Sequence, residues 1–246
     1  MNYHKLFLAC IAAMPIAASA QLSANLGLTS SYKFRGQDQD TLGSDGSLRS
    51  KAAAPAIQGG FDYTFGETGW YVGNWNSNVH WLPGNRMEID LYGGYKFSAA
   101  GIGWDLGALT YLYPGNQSGN TTELYGAGSY GPVTLKYAHT LSRDYFGAGG
   151  AHSGSGLRGS NTGYLNLGVA HEIAPSLTLK AGLGYTRFSR DLRDKGLRNY
   201  LDYALGVSYD LGAGLSVYGG AQGANQRRAY GDVNKARALV SITKAL

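Results

Sequence analysis

Apolar and polar side chains alternate along this chain from just after Ala20 to the last residue. In residues 22–28, with the sequence LSANLGL, every second side chain is apolar. Because successive side chains of an extended strand point to opposite faces, such a segment has one apolar and one polar face. A soluble sandwich buries the apolar face, whereas a barrel of the bacterial outer membrane turns it toward lipid and encloses the polar face.

This alternation predicts about twelve strands of roughly ten residues each, the length that a tilted strand needs to cross a bilayer. The predicted strands are 22–34, 56–65, 70–81, 86–97, 102–113, 122–130, 132–142, 162–173, 177–188, 201–211, 214–223 and 236–246. An even number of strands brings both chain ends to one side of a closed barrel. The predicted fold class is therefore all-β, a closed antiparallel transmembrane β-barrel.

The connections between the predicted strands are alternately short and long. The short ones are rich in Gly and Pro and lie at 66–69, 98–101, 131–132, 174–176 and 212–213. The longer polar stretches lie at 35–55, 114–121, 143–161, 189–200 and 224–235, with one short member at 82–85. Short periplasmic turns and longer extracellular loops are typical of outer-membrane barrels, and soluble sandwiches have no reason to sort their loops in this way.

Aromatic residues cluster near both predicted rims. Those at the long-loop ends are Phe34, Trp81, Tyr111, Tyr113 and Tyr145. Those at the short-turn ends are Phe65, Phe97, Tyr130 and Tyr209. Aromatic residues are common in all strands, but these positions agree with the sorting of the loops and predict two girdles at the membrane–water boundaries.

The N-terminus has the parts of a cleavable secretory signal. Lys5 supplies the positive charge, residues 6–17 the apolar core and residues 18–20 the small side chains of a cleavage site. We therefore expect a signal peptide at 1–20 and the barrel at 21–246. No segment is apolar over the length that a spanning helix needs. Cys10 is the single cysteine and lies in the signal, so no disulfide or thiolate metal site is expected in the mature chain.

Composition agrees with an exported barrel. The chain has 38 Gly and 19 Tyr but only 6 Pro, and its mean hydropathy of −0.22 excludes a polytopic helical protein. The formal net charge of +5 is mild, and it follows an export signal. A nucleic-acid partner is therefore not expected.

Several segments together resemble the TorF-type porin family of proteobacterial outer-membrane proteins. They are LTSSYKFRG at 28–36, AIQGGFDY at 56–63, EIDLYGGY at 88–95, YLYPG at 111–115, TELY at 122–125 and YLNLG at 164–168. The resemblance covers nearly the whole mature chain and implies an outer-membrane barrel that acts as a porin, without indicating its solute. Such barrels usually end on an aromatic residue that the barrel-assembly machinery recognises, whereas this chain ends on Leu246.

The predicted inward faces carry charged side chains of both signs. The predicted pore-lining residues are Lys33, Arg35, Asp62, Arg86, Glu88, Asp90, Asp105, Glu123, Lys136, Lys180, Asp202 and Arg237. Acids prevail on strands two to six, and bases on strand one and from strand seven onward. A closed barrel would set an acidic wall against a basic wall, and the resulting field would orient dipolar solutes. The alternative is that these charges pair across the lumen and fill it.

A second basic group lies in a predicted extracellular loop. Its members are Arg187, Arg190, Arg193, Lys195 and Arg198. These side chains would bind lipopolysaccharide phosphates or gather anionic solutes. The alternative is an ordinary solvated loop.

Catalysis requires a nucleophile within reach of a base, and this pattern is weak here. His139 and Ser142 are close in sequence but face opposite sides of a strand. His171 and Glu172 lack the second His and the helix of a zinc-protease motif. We therefore expect no enzyme, no cofactor and no metal site.

The sequence thus predicts an outer-membrane barrel that allows passive diffusion of small hydrophilic solutes. Its expected partners are membrane lipid, lipopolysaccharide, the assembly machinery and those solutes. Two alternatives stay open: a barrel enzyme of the lipase or deacylase type, and a non-conducting structural or adhesive barrel.

Overall fold

The computed structural model describes residues 22–246 except 44, 48, 50 and 52. The predicted signal peptide at 1–20 lies outside the described residues. Helices are short: α1 is Arg190–Asp194, α2 is Arg227–Tyr230, and single 3₁₀ turns are Gln117–Gly119 and Gly231–Asn234. Within the described residues, no helix is long and apolar enough to cross a membrane.

Twelve long strands form one sheet. They are β1 (Leu22–Thr29), β2 (Ala56–Thr64), β3 (Trp70–Asn78), β4 (Met87–Ala99), β5 (Ile102–Leu112), β6 (Thr121–Tyr130), β7 (Val133–Thr140), β8 (Gly163–Ala174), β9 (Leu177–Arg187), β10 (Tyr200–Gly212), β11 (Leu215–Ala224) and β12 (Arg237–Ala245). Each strand pairs antiparallel with the next along the chain, and β1 also pairs with β12. The predicted fold class, a closed antiparallel barrel with about twelve strands, is confirmed.

The apolar faces of the strands point outward. Leu26 and Leu205 are 57% and 59% exposed, whereas the inward Glu123 is 2% exposed. This reverses the arrangement of a water-soluble core, and it is the arrangement that a lipid environment favours. The exposed rows also include the rings of Phe65, Phe97, Tyr130 and Tyr209 at the short-turn rim, where an aromatic girdle was expected.

The connections are sorted as predicted. Short turns at 65–69, 100–101, 131–132, 175–176 and 213–214 share one rim, which we call the short-turn end. Connections at 30–55, 79–86, 113–120, 141–162, 188–199 and 225–236 share the other rim, the long-loop end. Both described chain ends lie at the short-turn end, because the number of strands is even.

Strand β3 departs from the apolar outer face. Its outward positions toward the long-loop end are Asn74, Asn76 and Asn78. Each of these amides bonds to the backbone of β2: Asn74 accepts from the N–H of Phe61 and Asn76 donates to the carbonyl of Gly59. These bonds reduce the cost of placing a polar side chain on this face.

The first strand is shorter than the predicted 22–34. It ends at Thr29, and the chain then turns into the barrel instead of continuing along the wall. The apolar–polar alternation of the sequence continues through Tyr32, Lys33 and Phe34, but in the structure these residues lie inside the barrel and not in its wall. Lys33 and Arg35 are therefore not on β1.

The seam between the first and last strands is closed to its end. The N–H of Leu246 donates to the carbonyl of Ala24 at 2.9 Å, and register pairs run from Asn25 with Ala245 to Thr29 with Ser241. Leu246 itself is 74% exposed, as an outward terminal side chain of this strand.

Candidate functional site

A short hairpin from the first long loop lies inside the barrel. Residues Lys33–Phe34 pair with Gln37–Asp38, and we call residues 33–38 the inner hairpin. Its turn has positive φ at both central residues, 47° at Arg35 and 75° at Gly36. Two-residue hairpins favour such turns because their twist matches that of the paired strands.

The tip of the inner hairpin touches the barrel wall. A Cβ atom added to Gly36 would lie 2.5 Å from the carbonyl oxygen of Gly223 on β11 and 2.7 Å from Cβ of Asp202 on β10. Only glycine fits at this distance. The hairpin therefore extends from the end of β1 as far as the β10–β11 wall.

Arg35 anchors the hairpin to the other side of the lumen. Its Nη2 atom donates to Oε2 of Glu123 on β6 at 2.6 Å, and both side chains are buried. The guanidinium carbon lies 4.1 Å from the ring centre of Tyr164 and 4.8 Å from that of Phe34. A guanidinium stacks on aromatic faces while it binds a carboxylate, so this environment suits Arg better than Lys.

Asp38 joins the hairpin to the last strand. Its carboxylate lies 2.9 Å from Nζ of Lys33 and 2.7 Å from Nε of Arg237 on β12. Lys33 also donates to the carbonyls of Gly36 and Val233. Burial lowers the pKa of Lys33, and the charge of Asp38 beside it acts in the opposite direction. This junction holds both arms of the hairpin against the wall.

We expect Asp38→Asn to lower the free energy of unfolding by about 3 kcal/mol, because two buried cations lose the carboxylate that they share. Asp45→Asn in the same loop is the matched control: Asp45 is exposed, and hydrogen bonds from Ser47 and Arg49 hold its pKa at about 2. Thermal unfolding in detergent measures both variants. Equal melting temperatures for Asp38→Asn and Asp45→Asn would contradict the role assigned to the junction.

Aromatic rings narrow the lumen between the inner hairpin and the long loops. The contacting rings, which we call the aromatic layer, are Trp81, Tyr113, Tyr111, Phe34, Phe146, Tyr145, Phe188, Tyr200 and Tyr230. The predicted girdle of Phe34, Trp81, Tyr111, Tyr113 and Tyr145 at this end is therefore wrong. Tyr111 and Tyr113 lie an even number of residues after Asp105 and therefore point inward, as Asp105 does. Tyr145 belongs to a long loop and is buried against Phe188 and Tyr200 at the long-loop end of the barrel.

A cavity of about 250 Å³ lies on the short-turn side of the inner hairpin. Arg35, Glu123 and Tyr164 line its inner end, and these side chains are nearly closed to solvent. Asp62 and Lys136, also in its lining, are only half-buried. Solvent therefore reaches the cavity from the short-turn end.

The two sides of the cavity differ in side-chain size. One side, the aromatic wall, carries the inward rings of β3–β6: Tyr71, Trp75, Tyr92, Tyr111 and Tyr125. The other, the glycine wall, carries inward glycines on β8–β11: Gly168, Gly182, Gly184, Gly206 and Gly220. The rings of Tyr164 and Tyr218 cover three of these glycines, because a Cβ atom added at Gly184, Gly206 or Gly220 would lie 2.3–2.5 Å from one of their hydroxyl oxygens.

Hydroxyl groups on the aromatic wall bind its acids. Tyr92 donates to Asp62 at 2.7 Å, Tyr71 donates to Asp105 at 2.6 Å, and Tyr71 also bonds to the hydroxyl of Tyr125. Two lysines lie over rings of the same wall, Lys136 at 4.1 Å from Tyr125 and Lys96 at 4.4 Å from Tyr71. Acid, hydroxyl and ammonium groups thus alternate along this surface, which suits polar solutes.

The structure brings most of the predicted pore-lining residues together. Those that line the cavity are Lys33, Arg35, Asp62, Asp90, Glu123, Lys136, Lys180 and Asp202. Glu88 and Arg237 are buried beside the inner hairpin, where Glu88 accepts from the hydroxyl of Tyr32. Asp105 bonds to Tyr71, and Arg86 is exposed in the loop before β4. Their part in conduction stays a prediction.

The predicted basic loop lies outside the barrel. Arg187, Arg190, Arg193, Lys195 and Arg198 are all exposed around α1, whose buried side chain is Leu192. Arg190 lies 3.5 Å from Asp194, a contact on the surface. Whether this patch binds lipopolysaccharide stays a prediction.

The residues considered for catalysis have other partners. His139 bonds to the hydroxyl of Tyr137 and the amide of Asn161, while the hydroxyl of Ser142 donates to the carbonyl of Asp144. In the described part of the chain no serine hydroxyl bonds to a histidine, and no group of acids, His or Cys has the arrangement of a metal site.

Sequence reasoning missed the rings that line the cavity, above all Trp75, Tyr92 and Tyr125. Their spacing in the sequence could have identified them, because Tyr92 follows Asp90 by two residues and Tyr125 follows Glu123 by two. Side chains two apart share a face, so these rings had to point inward with the acids.

Residues 13–245 match the family described as "Bacterial protein of unknown function (Gcw_chp)". The chain belongs to this family. No curated protein matches its sequence.

Solved porins share the fold of this family member. A KdgM porin determined in complex with disordered oligogalacturonate has a TM-score of 0.56 at 10% sequence identity, covering 90% of this chain and 98% of that one. A NanC porin has a TM-score of 0.56 at 13% identity, covering 91% and 98%. The Gcw_chp protein is thus a porin-like barrel of the outer-membrane type in its fold.

Proposed function

We propose that this protein is a porin of the TorF type that allows passive diffusion of small hydrophilic solutes across the bacterial outer membrane. The observation that carries the proposal is the charged, solvent-reached cavity enclosed by a wall whose outer surface is apolar. A barrel that served only as an anchor would have no need for a polar interior with half-buried charges of both signs.

The path is asymmetric in this proposal. The short-turn end faces the periplasm and leads directly into the cavity, while the long-loop end faces outward and is narrowed by the inner hairpin and the aromatic layer. The hairpin touches β6 through Arg35, β10 and β11 through Gly36, and β12 through Asp38. Solutes must therefore pass beside the hairpin, which favours small and polar molecules.

The buried hairpin also favours a second candidate, a closed barrel that acts through its loops. In that case the hairpin stays in the lumen and blocks it, and the buried Arg35–Glu123 ion pair has only a structural role. The two candidates differ in one measurable property, the flux of solute through the wild-type protein.

We expect liposomes that contain the purified protein to swell in small sugars and amino acids, and swelling to fall as solute size increases. Heat-dependent migration on gels confirms that the barrel is folded in the same vesicles. Folded protein that gives no more swelling than protein-free vesicles, for every solute, would contradict the channel and support the closed barrel.

A further inference from the structure

Two buried charged side chains in the cavity are not paired with any described residue. Asp90 on β4 is 8% exposed, and no described residue donates a hydrogen bond to its buried Oδ1 atom. Lys180 on β9 is 5% exposed, and among the described residues no acid or carbonyl binds its ammonium group. Both side chains line the cavity.

The other buried or half-buried charges of the lining have partners. Lys33 binds Asp38, and Arg35 binds Glu123. Asp62 accepts from Tyr92 at 2.7 Å, Asp202 accepts from Tyr164 at 3.1 Å, and Lys136 lies over the ring of Tyr125. Oδ2 of Asp202 is also buried without a donor, but its Oδ1 accepts from Tyr164. Asp90 and Lys180 are thus the two charged residues of this lining for which no described residue is a partner.

The two side chains lie on nearly opposite sides of the barrel. Strands β4 and β9 are five steps apart around a ring of twelve strands. Asp90 shares its side with the carboxylates of Glu88 and Glu123 and with the rings of Trp75 and Tyr92. Lys180 stands on the glycine wall, close in sequence to Gly182 and Gly184.

A buried charge without a partner is costly, and the cost falls when a guest supplies the opposite charge. A cationic guest alone would leave Lys180 unpaired, and an anionic guest alone would leave Asp90 unpaired. A solute that carries both charges supplies a partner for Asp90 and a partner for Lys180. The aromatic rings beside Asp90 add attraction for an ammonium group.

We propose that the cavity binds a dipolar solute that carries an amine at one end and a carboxylate at the other. Its ammonium group lies at Asp90 and its carboxylate at Lys180, so the solute is held across the barrel axis. This inference rests on the proposed function only in that the solute enters through the same lumen.

The test uses the full mature barrel in detergent and titration calorimetry. The probes are γ-aminobutyrate and ε-aminohexanoate, each compared with the hydroxy acid and the amino alcohol of the same length. We expect at least one amino acid to bind about tenfold tighter than both of its single-charge analogues, since one charged contact is lost in each. If, at both lengths, the amino acid binds no tighter than its analogues, the inference is wrong.

Four variants locate the site. In Asp90→Asn the amino acid should no longer bind more tightly than the hydroxy acid, which lacks the ammonium group. In Lys180→Gln it should no longer bind more tightly than the amino alcohol, which lacks the carboxylate. The controls Asp210→Asn and Lys235→Gln remove exposed charges outside the cavity and should leave binding unchanged. Equal losses in the controls, or unchanged binding in both cavity variants when they are folded, would overturn the assignment.

Flux measurements separate this inference from the proposed function. Binding of the amino acid without flux in liposomes would support the site and contradict the channel. Equal flux of all probes without preferential binding would support the channel and contradict the site.

Discussion

Gly36→Ala should raise the single-channel conductance by about twofold or more, because a widened constriction lowers the resistance of a pore. The added methyl carbon would lie 2.5 Å from the carbonyl oxygen of Gly223, which belongs to the backbone of β11 and cannot move aside as a flexible side chain could. The tip of the inner hairpin must then leave the β10–β11 wall. Planar-bilayer recordings of the purified variant beside the wild type measure the effect.

Gly46→Ala is the matched control for this substitution. Gly46 belongs to the same loop and has nearly the same backbone angle, a φ of 77° against 75°, but nothing lies within 4 Å of its added carbon. Both alanines carry the cost of a left-handed backbone, about 1 kcal/mol. Only Gly36→Ala also meets the wall, so equal conductance in the two variants would show that the hairpin does not narrow the path.

Arg35→Met should lower the free energy of unfolding by about 3 kcal/mol, because Glu123 then remains buried without its cation. Met retains most of the volume between the rings of Phe34 and Tyr164, so the loss reports mainly the charge. The double variant Arg35→Met/Glu123→Gln should recover most of the stability. Thermal unfolding in detergent, followed by the loss of strand signal in circular dichroism, gives all three values.

Arg228→Met serves as the control for loss of an arginine at an exposed position of α2. We expect its melting temperature to equal that of the wild type. If Arg35→Met were no more harmful than Arg228→Met, or if the double variant were the least stable of all, the buried pair would not hold the hairpin in place.

The barrel wall could be predicted from sequence because its signal is local. Side chains two residues apart share a face, so rows such as Leu201, Tyr203 and Leu205 identify the lipid side without knowledge of any other strand. The number of strands and the sorting of short turns and long loops follow from the same repeat. Inward parity in turn places Asp90, Glu123 and Lys180 in the lumen.

The inner hairpin could not be predicted in this way, because its position depends on contacts between residues far apart in sequence. Arg35 meets Glu123, and Asp38 meets Arg237, across 88 and 199 residues. The two-residue alternation continues through Lys33 and Phe34, so it gives no sign that the wall has ended at Thr29. Aromatic residues were misplaced for a related reason, since a ring suits a packed lumen as well as a lipid interface.

The seam between β1 and β12 has a consequence for biogenesis. One edge of the first strand stays unpaired until the last strand has been synthesised, because its neighbour at that edge is the last strand. Until then two unpaired edges exist in one molecule, and each is a template for mispairing with another copy. Truncated forms that lack residues 237–246 cannot close the ring, so they keep both unpaired edges and are the forms most exposed to such mispairing.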